Sequence, residues 1–289
     1  MLRNYIYLLS IGIIWGSQFI FQEIALTSFS PVWIGVSRAL IGALTLILIC
    51  HTLKLKASSN QWGIFAVIGL LEATIPFVFI PWGQQNLTSS TTAILMGTLP
   101  FYALLLAPFF IKKSTITWSN TLSVIVGFVG LIILFYPELS LSTGELNLLS
   151  AAAIIIAAIC FAVAILLLNC IENEHPLIIA RNVLIAATIQ LIAVALITTP
   201  FELNDISYTA SFSLLYLGIM CAGIVYYLYM MCIKSAGAVF ASMTNYIVPA
   251  VGVLIGATIN NESIQITSWV ALIVILSALL INQVLSKNE

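Results

Sequence analysis

Charge is scarce in this chain. Only 7% of its 289 residues are charged, nine Lys+Arg against ten Asp+Glu, where an ordinary soluble domain carries roughly 25%. With 62% apolar residues the chain cannot clothe itself in a solvating surface, which excludes a soluble enzyme. A net charge of −1 leaves no basic patch for a nucleic acid. There are two histidines, and the five cysteines are scattered, so neither a metal site nor a cofactor is expected. The odd cysteine count argues against a disulfide framework. Cys50, Cys160, Cys170, Cys221 and Cys232 lie in apolar stretches or at their ends and read as small packing residues. Gly-x-x-x-x-Gly-Lys-Ser/Thr is missing, so the chain does not itself bind ATP in that way. The Gly-x-Ser-x-Gly, His-Glu-x-x-His and paired-Asp patterns of membrane proteases are missing too, and no enzyme is expected.

What is present is a succession of long apolar runs. A bilayer-spanning helix needs about 20 mostly apolar residues. Ten such spans are read at approximately 4–26, 31–50, 62–82, 89–110, 118–136, 147–170, 176–198, 211–233, 238–259 and 266–285. The runs are continuous and lack the ten-residue alternation of a barrel, so helices are expected. Arg3 followed by apolar residues has the look of a signal peptide, but Trp15, Gly16, Gln18 and Glu23 interrupt the run and no small-x-small cleavage site follows. It is read as a retained first span. Placing both termini in the cytoplasm puts Arg3, Lys54, Lys56, Lys112, Lys113, Lys234 and Lys287 inside and no Lys or Arg in the outer loops, as the positive-inside rule asks.

The chain repeats itself. A shift of 149 residues sets Gly69 on Gly218, Ala73 on Ala222, Ile75 on Ile224, Pro100 on Pro249, Leu105 on Leu254 and Ser119 on Ser268, with no gap. Earlier, Pro31 and Pro176 each open a span, with Arg38 and Arg181 following. Five is odd, so the second half must be inverted in the membrane. The expected fold class is all-α integral membrane: ten transmembrane helices as two inverted five-helix repeats, residues 1–139 and 140–289. Inverted halves that rock about a midplane site are a transporter signature. A channel or uncoupled facilitator is the alternative.

Several motifs carry a resemblance. They are Trp15-Gly16-Ser17-Gln18-Phe19, Pro31 with Arg38, Ile75-Pro76-Phe77, and the run from Ala93 to Pro100. In the second half they are Asn245 to Pro249, Gly252 and Glu262. Taken together, the chain resembles the drug/metabolite transporter superfamily in its ten-helix EamA-type branch. The resemblance implies an inner-membrane exporter of a small molecule: an amino acid or related amphipathic compound, drug-like ones included. The expected partners are that substrate, the lipid bilayer and a coupling proton, with the chain a monomer or weak dimer.

Four ionisable residues fall within spans: Glu23, Arg38, Glu72 and Arg181. Each is a functional candidate by default, because charge in lipid is costly. Glu23 and Arg38 lie near the outer ends of the first two spans and are expected to pair, as a structural bridge or as a gate. Arg181 is expected to snorkel or to meet Glu172 or Glu174. Glu72 sits near the middle of its span, where a carboxyl is far cheaper protonated than ionised. It reads either as an interhelical hydrogen-bonding group or as a proton and substrate site. Pro100 and Pro249 predict kinks or hinges in spans 4 and 9. Thr92, Met96, Ser242 and Asn245 precede them at helical spacing, and with Gln18, Tyr226 and Tyr227 complete the expected cavity. The Gly12-x-x-x-Gly16 and Gly252-x-x-x-Gly256 pairs predict close helix packing.

Overall fold

The structure, a computed structural model, describes residues 2–56, 60–87, 92, 95–111, 117–141, 147–200, 206–248, 250–251 and 266–285. Among them no strand occurs. The helices are α1 (Leu2–Leu26), α2 (Pro31–Thr52), α3 (Trp62–Gln84), α4 (Leu99–Phe110), α5 (Trp118–Leu141), α6 (Leu148–Cys170), α7 (Pro176–Thr198), α8 (Tyr208–Ala236), α9 (Ala238–Val248) and α10 (Ile266–Leu285). Six of them are long and apolar enough to cross a membrane, and the others are apolar but shorter in their described part. Proline opens α2 and α7 where the first-turn N–H has no helical acceptor anyway. Asn147, His175 and Ser207 cap α6, α7 and α8 by accepting from the first turn.

Exposure is inverted relative to a soluble protein. Leu48, Phe109, Leu196 and Ile197 are 64–85% exposed, whereas Arg38 is 5% and Glu72 0% exposed. Apolar side chains turned outward and polar ones inward are what a lipid solvent requires. This is a multi-pass membrane protein.

Hydrogen bonds between helix ends fix their directions. At the end where α1 starts, Asn4 and Ser235 bond each other, Lys234 donates to the carbonyls of Asn169 and Ile171, and Cys170 reaches the Phe110 carbonyl. At the opposite end Gln22 meets Gln84, Trp33 donates to the Thr199 carbonyl, Ser207 donates to Ser28, and Asn86 to Ser150. Direction therefore alternates along the chain, and α6 runs opposite to α1, as the odd repeat length demands. The packing has the same symmetry. The α1–α8 contact is matched by α6–α3, and α2–α8 by α7–α3. The helices α2 and α7 pack on each other, as do α5 and α10.

The repeat extends to a backbone irregularity. A π-helical turn interrupts α3 at Leu70–Thr74 and α8 at Ile219–Ile224, and each starts at the same position under the 149-residue shift. Each follows a glycine forced by close approach. A Cβ on Gly69 would stand 2.9 Å from the Val183 carbonyl of α7, and one on Gly218 2.4 Å from Ile41 of α2. Gly12 and Gly16 likewise let α1 lie against Ile247 and Val251, where a Cβ would come within 2.5 and 2.7 Å. The expected small-residue packing at Gly12 and Gly16 is thus present; Gly252 and Gly256 lie outside the described residues.

Spans 4 and 9 are interrupted, and in span 4 the break precedes the proline at which a kink was expected. Residues 95–96 are helical, Gly97 and Thr98 form a turn, and α4 starts afresh at Leu99. Pro100 therefore occupies a first turn, and the interruption precedes it. A proline there lacks only an N–H that is spare in any case. In α9 a turn residue, Met243, separates two short helical stretches. Pro249 lies outside the described residues.

Candidate functional site

A widened turn closes its hydrogen bond five residues back instead of four. Ile75 N–H bonds the Leu70 carbonyl and Val225 N–H that of Met220. The extra residue turns carbonyls away from the helical ladder, and these need other donors. Side chains supply them. Trp15 Nε1 and Arg38 Nη2 both donate to the Cys221 carbonyl, at 3.1 and 3.2 Å. The Tyr226 hydroxyl donates to the Glu72 carbonyl at 2.9 Å. Glu72 and Cys221 are mates under the 149-residue shift, so the two halves present equivalent carbonyls to the middle of the bundle.

Aromatic rings surround this centre. Trp15 stands edge-on to Tyr229 at 4.9 Å and to Tyr226 at 6.4 Å, and Phe77 meets Tyr226 at 6.3 Å. The Arg38 guanidinium lies over the Phe77 ring at 4.2 Å, within cation–π range. Its Nη2 also donates to Gln18 Oε1 at 2.6 Å.

Beside these residues lies a cavity. It offers about 30 Å³ to the centres of water-sized molecules, room for about two waters. Trp15, Gln18 and Phe19 of α1 form one wall and Arg38 of α2 its charged point. The rest of the lining falls into mates from the two halves: Ile80 with Tyr229, Met96 with Asn245, Leu99 with Val248. Phe77 and Phe161 complete it. The cavity therefore sits on the axis that relates the repeats. Its asymmetry is chemical, since the second half contributes Tyr229 and Asn245 where the first contributes Ile80 and Met96.

Of the residues expected at the site, Gln18, Arg38, Met96 and Asn245 line the cavity. Glu72 does not. It is fully buried in the π turn, and among the described residues neither carboxyl oxygen has a hydrogen-bond partner. Tyr226 is buried between Glu72 and the ring cluster. Thr92 is fully buried, and its hydroxyl has no hydrogen-bond partner among the described residues. Ser242 spends its hydroxyl on the Val239 carbonyl, 2.7 Å away in its own helix. Tyr227 is half-buried and packs against the apolar core. Glu23 lies exposed near the end of α1, and among the described residues no ion pair joins it to Arg38, which Gln18 and the Cys221 carbonyl hold instead. Arg38 sits seven residues into α2, roughly 10 Å along its axis, with its guanidinium turned to the aromatic centre. Among the described residues Arg181 bonds Asn182, at 3.0 and 2.8 Å.

The residues missed in the sequence are Trp15, Phe19, Phe77, Ile80, Leu99, Phe161, Tyr229 and Val248. A signal existed for some. Trp15 stands mid-span, away from the interfacial belts where Trp is common, and four of the others, Ile80 with Tyr229 and Leu99 with Val248, are mates under the repeat.

Comparison with known proteins agrees with this architecture. The model of the EamA-like transporter family matches twice, over residues 2–136 and 148–283. An uncharacterized transporter of Clostridium kluyveri is 25% identical, over 100% of this chain and 95% of its own. The uncharacterized transporter YoaV of Bacillus subtilis is 24% identical over 97% and 94%. The uncharacterized inner membrane transporter YedA of Escherichia coli K12 is 25% identical over 95% and 88%. One solved crystal structure, 11% identical, superposes with a TM-score of 0.83 over 99% of this chain and 98% of that one, a likeness of fold alone. A membrane bundle built of two inverted halves, with a cavity on their common axis and a family model matching each half, makes this chain a transporter of the EamA-like family.

Proposed function

We propose that the chain is a secondary active transporter carrying a small amphipathic metabolite, an amino acid or related compound, outward across the inner membrane by alternating access. Both termini are cytoplasmic in this reading. The observation that supports it best is the cavity lined by repeat-related pairs, Ile80 with Tyr229, Met96 with Asn245 and Leu99 with Val248. If the halves 1–139 and 140–289 rock against each other, a site on their common axis opens to either face by equivalent motions. The present cavity holds about two waters, so a metabolite must widen it, and the break before α4 and the turn within α9 flank the space that has to open. Glu72 is the proposed proton carrier. Its carboxyl is buried without a partner, so its charge state depends on whether water or substrate reaches it. The test is flux in liposomes containing the purified chain. Saturable uptake driven by an imposed solute or proton gradient supports the reading. Unsaturable flux that only follows the gradient downhill makes the chain a channel, and no flux for any amphipathic metabolite overturns it.

A further inference from the structure

The charge on the cavity wall is one-sided. Arg38 is the only ionisable cation or carboxylate among the described lining residues, and at 5% exposure it has lost its hydration. A guanidinium carries five N–H donors. Among the described residues only Nη2 is bonded, to the neutral oxygens of Gln18 and Cys221. Nε is buried with no partner, and Nη1 makes no hydrogen bond among the described residues. Among the described residues the Glu72 carboxyl makes neither a hydrogen bond nor an ion pair with Arg38. A buried cation without an anion beside it is costly, and its donors favour a planar, bidentate acceptor. The face of Phe77 that a cationic ligand would seek is already covered by the guanidinium, 4.2 Å above it. The cavity that Arg38 lines has room for about two waters, about the volume of a carboxylate group. Around it stand apolar and aromatic walls from Trp15, Phe19, Phe161, Leu99 and Val248.

Building on the transporter reading, we infer that the substrate bears a carboxylate on an apolar or aromatic body, and that Arg38 is the residue that selects it. The carboxylate takes the unused N–H groups of Arg38, and the body displaces the apolar walls as the cavity widens. Arg38 is thus a specificity-determining residue, held here by Gln18 and the Cys221 carbonyl.

The experiment compares three probes of one body on the purified full chain: phenylacetate, phenylacetamide and phenethylammonium, each at millimolar concentration. The readout is the unfolding midpoint, since a ligand stabilises what it binds. Phenylacetate should raise the midpoint, and the amide and the ammonium should not. Replacing Arg38→Lys should weaken phenylacetate by about 10- to 100-fold, the worth of charge-assisted bonds in a fixed fork. The wild-type comparison stands even if the variant does not fold. Equal stabilisation by the amide, stabilisation by the ammonium, no shift with phenylacetate, or unaltered binding by a folded Arg38→Lys chain each overturns the inference. Counterflow of labelled phenylacetate in liposomes separates the two claims. Binding without exchange upholds Arg38 as an anion site and removes the transporter reading. Exchange confined to uncharged or cationic solutes does the reverse.

Discussion

Replacing Glu72 should strengthen the fold while removing function. The carboxyl is 0% exposed and among the described residues both oxygens lack a hydrogen-bond partner, so it adds no hydrogen bond to the native packing. A buried polar group left unsatisfied costs about 1–3 kcal/mol. Glu72→Met removes that cost at nearly constant side-chain length, and such a swap itself costs under about 1.5 kcal/mol. The balance is a gain of about 1 kcal/mol. Glu72→Gln keeps polar atoms in the same place and should stay within about 1 kcal/mol of the parent, by the same reckoning. Both changes abolish the ability to take up and release a proton. Unfolding of the purified chains in detergent gives the stabilities, and gradient-driven uptake in liposomes across roughly pH 5 to 8 gives the function. The Met chain should be as stable as the parent or more so, with little transport, and the Gln chain should show reduced uptake with a flattened pH profile. A Met chain weaker than the parent by more than about 2 kcal/mol, a loss typical of a broken structural contact, would show that the carboxyl has a structural partner. A Gln chain with the parent's pH profile would remove the proton role.

Trp15→Phe deletes the donor to the Cys221 carbonyl while keeping a ring beside Tyr229. It should cost about 1–2 kcal/mol in unfolding experiments, and undiminished stability would mean that the remaining Arg38 donor satisfies the π-turn carbonyl by itself. Gly16→Ala places a methyl 2.7 Å from Val251 and 2.9 Å from the Val248 carbonyl, and should cost about 1–3 kcal/mol. Gly63→Ala meets nothing within 4 Å in α3 and should gain about 0.5–1 kcal/mol; similar effects at the two sites would contradict the close α1–α9 approach. For topology, cysteines at Ser142 and Asn204 should react with an impermeant reagent outside the cell and one at Ser58 should not. Labelling of Ser58 from outside would overturn the cytoplasmic placement of the termini.

The membrane class and the ten apolar segments were legible because lipid leaves the backbone one local solution and marks it with long apolar runs. The repeat was legible where packing leaves no room for a side chain, as at Gly69 and Gly218. The π turns were not, since a ladder closed five residues back has no sequence signature of its own. They decide the site, because the Cys221 and Glu72 carbonyls draw Trp15, Arg38 and Tyr226 to the centre. Proximity along neighbouring spans suggested Glu23 for Arg38, yet a side chain's depth and rotation decide its partner, and Gln18 has both right. Pro100 predicted a kink by its presence, whereas the helix ends at Gly97 and Thr98 and begins again before it. The cavity's lining was readable only in part, because apolar wall residues such as Leu99 and Val248 look like any core residue until the two halves are superposed.

The claim on which the rest depends is that one cavity on the repeat axis opens to both faces in turn. A single cysteine at Leu99, or at its mate Val248, in a chain whose native cysteines are replaced, tests this directly. An impermeant thiol reagent is applied to either face of sealed vesicles under opposite substrate gradients. Alternating access predicts modification from each face, with the favoured face switching when the gradient is reversed, and the same behaviour at both positions. Modification from one face only, whatever the gradient, would contradict it.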